Sequence, residues 1–184
     1  QFRHGPTRMT AALSEMAQLP AGSNPRTRSL ASELREQVRS TGASGTNSQD
    51  LVDAALQRLR TGGYTYTLEP GIYGSHTADE FWFDRKTGFC EHIASSFVVL
   101  MRALGIPARV VTGYQGGTLN GLDGYWTVRQ SDAHAWAEVW FADRGWVRVD
   151  PTTAVAPGRT GDLRLAPPRN AVAQVLATVS PQIN

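Results

Sequence analysis

The chain has one cysteine, Cys90, in the run Gly88-Phe-Cys-Glu-His92. Apolar residues recur after it at helical spacing (Ile93, Phe97, Leu100, Met101, Leu104) until Gly105 and Pro107 stop the pattern, so Cys90 falls in the first turn of a helix. A thiol is a weak nucleophile until ionised, and the unpaired N–H groups and dipole at a helix start favour the thiolate. Gly88 lets backbone come close to a substrate, and the Cys90 N–H is free to help stabilise a tetrahedral oxyanion. The competing reading is packing, because a lone cysteine beside an apolar helix is more often a small core residue. One cysteine also excludes an intramolecular disulfide framework and a multi-cysteine zinc module.

A catalytic thiol needs a base, and the base needs a group that orients it. His134 and Asp150 have the spacing for this. In Asp132-Ala-His-Ala-Trp-Ala-Glu-Val-Trp140, period-2 alternation puts His134, Trp136, Glu138 and Trp140 on one face and Ala135, Ala137, Val139 and Phe141 on the other. The turn at 142–145 returns the chain as Trp-Val-Arg-Val-Asp150, ended by Pro151. A hairpin with an odd-length loop then brings His134 and Asp150 to one face as direct or diagonal neighbours, whereas a four-residue turn without a bulge does not. Taken alone, His134 is equally a satisfied core histidine and Asp150 a turn residue. His92 lies two residues after Cys90, where helical side chains point apart, and has a structural or rim role. His4 and His76 sit in Pro- and Gly-containing loops with no visible partner. Cys90, His92, His134 and Asp150 lack any recognised zinc-ligand spacing, so no metal is expected.

The elements that must hold these residues follow from the pattern. Met9–Leu19, a segment beginning at Asn24-Pro25 with Leu30, Leu34 and Val38, and Leu51–Leu59 stopped by Gly62-Gly63 predict three helices, the second capped by Asn24. A Gly/Ser/Thr-rich connection runs from Ser40 to Ser48. Strands are expected at Tyr64–Leu68, Ala108–Tyr114, Tyr125–Arg129, Ala133–Phe141 and Trp146–Asp150, with a loop at Glu69–Ser75. The Gly-rich loop Gln115–Gly124 reads as a cleft wall or lid and equally as an ordinary hairpin connection. Beyond Pro151 a short apolar stretch, Val172–Val179, is a further helix candidate. Helices therefore come first and an antiparallel sheet follows, an α+β class.

Four strings carry a resemblance: GFCEH (Gly88–His92), RALGIPARVVTGY (Arg102–Tyr114), DAHAWAEVW (Asp132–Trp140) and GWVRVDPT (Gly145–Thr152). In content and order, over about residues 48 to 154, the chain resembles the bacterial transglutaminase-like family of the papain-like cysteine superfamily. The resemblance implies a helix bearing the cysteine packed on an antiparallel sheet, with additional N-terminal helices, and a catalytic triad of Cys90, His134 and Asp150. It implies a single domain overall: an N-terminal helical segment 1–47 packed on the core, a catalytic core 48–154 and a tail or linker 155–184. The activity implied is protein-glutamine gamma-glutamyl transfer through a Cys90 thioester, from a glutamine-bearing protein or peptide to a primary amine. The alternatives are a cysteine hydrolase (peptidase, amidase or deamidase) with the same triad, and a non-catalytic peptide-binding or interaction module. No cofactor is needed by this chemistry. The second oxyanion donor is Trp82 or Trp136, if either is more than aromatic packing.

The bulk properties fit this reading. With 184 residues and 41% apolar content the chain can form one ordinary domain. A net charge of +2, with the basic residues spread over several segments, is too weak to imply a nucleic-acid partner, and none is expected. No apolar run approaches the roughly 18 residues needed to cross a bilayer. Starting at Gln1 without an initiator Met, the chain reads as a piece of a longer protein. The resemblance extends to soluble domains of bacterial multi-span inner-membrane proteins that face the periplasm, with the membrane engaged only through flanking segments absent here.

Overall fold

The structure is a computed structural model and describes residues 5, 6, 8–41 and 47–160. His4, most of the Ser40–Ser48 connection and the Val172–Val179 stretch lie outside the described residues. Three helices open the chain: α1 (Ala11–Glu15), α2 (Pro25–Ser40) and α3 (Ser48–Thr61). The first is shorter than the Met9–Leu19 periodicity predicts, because the chain leaves the helix at Met16 in successive turns, Ala17 N–H to Ser14 O and Gln18 N–H to Glu15 O. The stripe Leu30, Leu34 and Val38 of α2 is buried, as are Leu51, Val52 and Leu59 of α3. The two helices pack on each other, and α2 also lies along α5 (Cys90–Ala103).

Asn24 does not cap α2 with its side chain. It takes a left-handed conformation, φ 46°, and its Oδ1 accepts from the Ala78 and Asp79 N–H groups at 3.1 and 3.3 Å. These belong to the short helix α4 (Thr77–Asp79). Asp79 answers in the other direction: its carboxylate accepts from Arg26 N–H, Thr27 N–H and the Thr27 hydroxyl at 3.0, 2.7 and 2.6 Å. The two helix starts cap each other across the fold, and His76 Nδ1 accepts from Asn24 N–H at 3.0 Å, so His76 does have a partner.

After α4 a π-helical turn, Glu80–Arg85, buries Phe81 and Trp82 in the same core as Phe97, Leu100 and Met101 of α5. Only Thr65–Tyr66 of the expected 64–68 strand is extended (β1), and it pairs in parallel with Thr87–Gly88 (β2). Two residues are too few to show a period, so β2 has no sequence signal. Its consequence is local: it fixes Gly88 immediately ahead of the cysteine helix.

The main sheet has the order β3 (Ala108–Tyr114), β6 (Ala133–Phe141), β7 (Gly145–Val149). Trp140 N–H donates to Pro107 O, and Arg109 pairs with Glu138, so β3 and β6 run antiparallel. β6 and β7 pair antiparallel from Phe141↔Gly145 to Ala137↔Val149, which defines a three-residue loop, 142–144. Gly145, at φ 74°, supplies the left-handed residue that closes such a loop. The buried face of β6 is Ala135, Ala137, Val139 and Phe141, as the alternation predicts. The fold is therefore of the expected α+β class, helices with an antiparallel sheet. Asp150 is followed by α6 (Thr152–Val155) and α7 (Pro157–Thr160).

A separate compact unit is formed by residues 114–133. It holds a hairpin of β4 (Thr118–Leu119) and β5 (Trp126–Thr127). The expected 125–129 strand shrinks to two residues. The turn is stitched by Asn120 Nδ2 to Asp123 Oδ2 at 2.9 Å, Leu122 N–H to Asn120 Oδ1 at 3.0 Å and Tyr125 N–H to Asp123 Oδ1 at 3.0 Å. These local side-chain bonds compete with a longer ladder.

Candidate active site

Cys90 is the first residue of α5. Phe89 precedes it in an extended conformation and offers no side-chain cap, so the first-turn N–H groups keep their donor character for a thiolate or an oxyanion. The thiol is free and buried, 9% exposed, in a small cluster with Ala94 and Ala135, against which Tyr66 and Phe89 pack. Ala135 is the sequence neighbour of His134, so the start of β6 lies against the start of α5. Gly88 is required on steric grounds, since a Cβ there would stand 2.6 Å from the His92 Cβ.

His134 and Asp150 are in direct contact. His134 Nε2 donates to Asp150 Oδ2 at 2.7 Å, and both side chains are largely buried, 9% and 11% exposed. The register explains the contact: continued by one residue, it sets Asp150 opposite Trp136, and His134 is then its diagonal neighbour on the same face. The odd-length loop needed for this geometry is present. The second carboxylate oxygen is also held, because Thr152 N–H donates to Asp150 Oδ1 at 3.2 Å while the Thr153 hydroxyl donates to the Asp150 carbonyl at 2.7 Å. This Asx-type turn, formed where Pro151 leads into α6 at Thr152, fixes the carboxylate that fixes the imidazole. With Nε2 committed to Asp150, Nδ1 is the ring nitrogen left to exchange a proton.

Two expectations about neighbouring residues resolve differently. Trp82 is fully buried and its indole N–H donates to Ser96 O at 3.1 Å, so it has no donor to offer an oxyanion. Trp136 Nε1 is buried and without a partner among the described residues. His92 points away from the thiol, between the Tyr73 ring at 4.7 Å and the Phe89 ring at 4.5 Å. Burial pushes its imidazole below the ordinary value of 6.5, with the Glu91 charge opposing. Among the described residues no group of three or more His, Cys, Asp or Glu side chains converges on a metal-sized site.

Sequence reasoning missed Arg148 and Tyr66. Arg148 Nη2 lies 3.3 Å from Asp150 Oδ2 and the guanidinium covers the Trp136 ring at 4.3 Å. The available signal was its spacing, two residues before Asp150 and hence on the same strand face. Tyr66 reaches the Cys90 cluster only through β1, whose partner strand is invisible to periodicity.

A cysteine at a helix start thus packs against a strand whose histidine is hydrogen-bonded to an aspartate just past the end of the next strand. The chain belongs to the Transglutaminase-like superfamily, which it matches over residues 28–151. It is 49% identical over 142 residues to the protein-glutamine gamma-glutamyltransferase of Pseudomonas aeruginosa, a match covering 77% of this chain and 20% of that protein. The uncharacterized protein YebA of Bacillus subtilis is 35% identical over 142 residues, 73% of this chain and 18% of that protein. The chain thus spans about a fifth of the length of the curated relatives it matches. Among solved structures, the periplasmic domain of TgpA from Pseudomonas aeruginosa superposes with a TM-score of 0.75 at 44% identity, over 85% of this chain and 52% of that one. That domain is also known bound to ethylmercury. The present chain is the counterpart of a periplasmic domain. No helix among the described residues is long and apolar enough to cross a membrane.

Proposed function

We propose that this domain is a thiol acyltransferase of transglutaminase type, with Cys90 as nucleophile, His134 as general base and acid, and Asp150 as the group that orients His134. The observation that carries the reading is the 2.7 Å His134–Asp150 hydrogen bond at the start of a strand that packs on the Cys90 turn. The match to a protein-glutamine gamma-glutamyltransferase supports the choice of acyl donor. In the proposed cycle His134 Nδ1 takes the Cys90 proton, and Asp150 stabilises the resulting imidazolium. The thiolate attacks the carboxamide carbon of a glutamine side chain. The tetrahedral intermediate collapses as His134 returns a proton to the leaving nitrogen, releasing ammonia and leaving a thioester on Cys90. A primary amine then attacks the thioester, loses its proton to His134, and departs as the isopeptide while the Cys90 thiol is regenerated. In the whole protein, flanking segments outside this chain anchor the domain at the inner membrane so that it works on periplasmic proteins.

The test is incorporation of a labelled primary amine into casein by the wild type and by Cys90→Ala. Incorporation is expected in the wild type and lost in the variant. Because Cys90 is the sole thiol, one equivalent of ethylmercury is expected to abolish incorporation. Cys90-dependent ammonia release or peptide cleavage without incorporation replaces the transferase with a hydrolase. Inertness of both proteins on a broad panel, with Cys90 alkylated no faster than an ordinary thiol, replaces it with a binding module.

A further inference from the structure

Arg148 stands directly opposite Glu138 in the β6–β7 register, the obvious place for a cross-strand ion pair. It does not form one. The Glu138 carboxylate is held from the other side of the strand by Arg109 of β3, with Nη2 at 2.6 Å and Nε at 2.9 Å from the same oxygen. Arg109 in turn covers the Trp146 ring at 4.3 Å. Released from Glu138, the Arg148 guanidinium sits over the Trp136 indole, its central carbon 4.3 Å from the ring centroid, and reaches Asp150 Oδ2, the same oxygen that receives the His134 Nε2 proton. The His134 ring is stacked near Trp136, with centroids 6.2 Å apart and planes 26° apart. Gly113 of β3 leaves room for the indole, since a Cβ there would stand 2.9 Å from Trp136 Cη2. Four side chains thus form a closed ring, His134 to Asp150 to Arg148 to Trp136 and back to His134.

We infer that Arg148 is a positioning residue of the acyl-transfer site: a clamp that pins the Asp150 carboxylate and the Trp136 indole together and through them fixes the His134 imidazole. The inference rests on the triad reading above. The guanidinium is half exposed, and its ion pair with Asp150 is long, so charge alone contributes little there. What it supplies is planarity. A guanidinium can lay its face on an indole while donating in its own plane to a carboxylate, and an ammonium cannot do both. The charged and titratable groups around Asp150 are then accounted for: His134 from β6, Arg148 from β7, the Thr152 N–H from α6, and Glu138 neutralised by Arg109.

Two readouts test the clamp in the full chain: steady-state amine incorporation with varied glutaminyl substrate, and the rate at which iodoacetamide alkylates Cys90. In Arg148→Gln, kcat is expected to fall roughly tenfold with KM held within about twofold, the pattern of a misplaced base rather than lost substrate binding. Alkylation of Cys90 slows in parallel, as it does in His134→Ala. Arg148→Lys keeps the charge but not the plane, and is expected to recover less than half of the lost kcat. A raised KM with unchanged kcat, full rescue by Lys, or unchanged alkylation in Arg148→Gln overturns the clamp. Should Arg148→Gln fail to fold, Arg148→Lys carries the same comparison. The two readings fail separately. If the wild type shows no Cys90-dependent incorporation, the acyl-transfer reading is lost, yet alkylation still judges the clamp: slowed by both His134→Ala and Arg148→Gln it stands, and slowed by His134→Ala alone it falls.

Discussion

His92 and Cys90 share one helical turn and have opposite fates. The thiol faces Ala135 and the start of β6, while the imidazole is enclosed by Tyr73 and Phe89, with its Nδ1 buried and unpartnered among the described residues. Burial lowers the proton affinity of His92 in the folded state relative to the ordinary value of 6.5. Between 6.5 and that lowered value the unfolded chain binds more protons at this site than the folded one, so stability rises with pH through the window. Above 6.5 the ring is neutral in both states and the contribution is fully present; it is lost as pH falls through the folded-state value. His92→Phe, which keeps an aromatic ring between Tyr73 and Phe89, is therefore expected to flatten the fall in urea midpoint below about pH 6.5. The comparison is with the wild type at the same pH values, so the other histidines cancel. An identical slope in both proteins removes His92 as the source.

At the scale of elements, the reciprocal capping of α2 and α4 is a long-range polar constraint. Asp79 is 4% exposed and accepts three hydrogen bonds from the first turn of α2. Removing it leaves two backbone N–H groups and the Thr27 hydroxyl unsatisfied in a buried place. Asp79→Ala is expected to cost about 2–4 kcal/mol in urea unfolding, and Asp79→Asn, which keeps one acceptor oxygen, distinctly less. This pair also shows where sequence reading stops. Asn24-Pro25 announces a helix start correctly, but the acceptor that caps it lies more than fifty residues away, and no local pattern encodes that. The long helices and β3, β6 and β7 were legible because each presents several turns or alternations to a core. β2 was not, because two residues show no period, and the π-helical turn was not, because it is set by the packing of Phe81 and Trp82. The site was legible to the same degree: the even spacing of His134 and Asp150 implies a shared face, but only the loop 142–144 decides that they meet. Arg148 escaped notice because its choice of Asp150 over Glu138 depends on Arg109, a residue of a third strand.

The molecule as a whole raises the question of whether the N-terminal helices are an appendage or part of what folds. Leu30, Leu34 and Val38 of α2 are 1%, 4% and 6% exposed and belong to one buried cluster with Phe97, Leu100 and Met101 of the cysteine helix. Arg35 adds a polar tie, donating from Nη2 to the carbonyl of Leu104 at 2.8 Å, where it caps the far end of α5. Exposing three such aliphatic side chains costs on the order of 5–9 kcal/mol, which is comparable with the whole stability of an ordinary domain, about 5–15 kcal/mol. A chain beginning at Ser48 keeps Cys90, His134 and Asp150 but uncovers the α5 side chains that pack on α2. It is expected to lose cooperative urea unfolding, to bind a hydrophobic dye, and to lose the accelerated alkylation of Cys90 that depends on His134. Leu34→Ala in the full chain is the milder form of the same experiment, expected to cost about 2–5 kcal/mol while leaving kcat near wild type. If the shortened chain unfolds cooperatively with undiminished amine incorporation, the site is built by the segment after residue 47 alone, and α2 is a cover rather than a wall of the core.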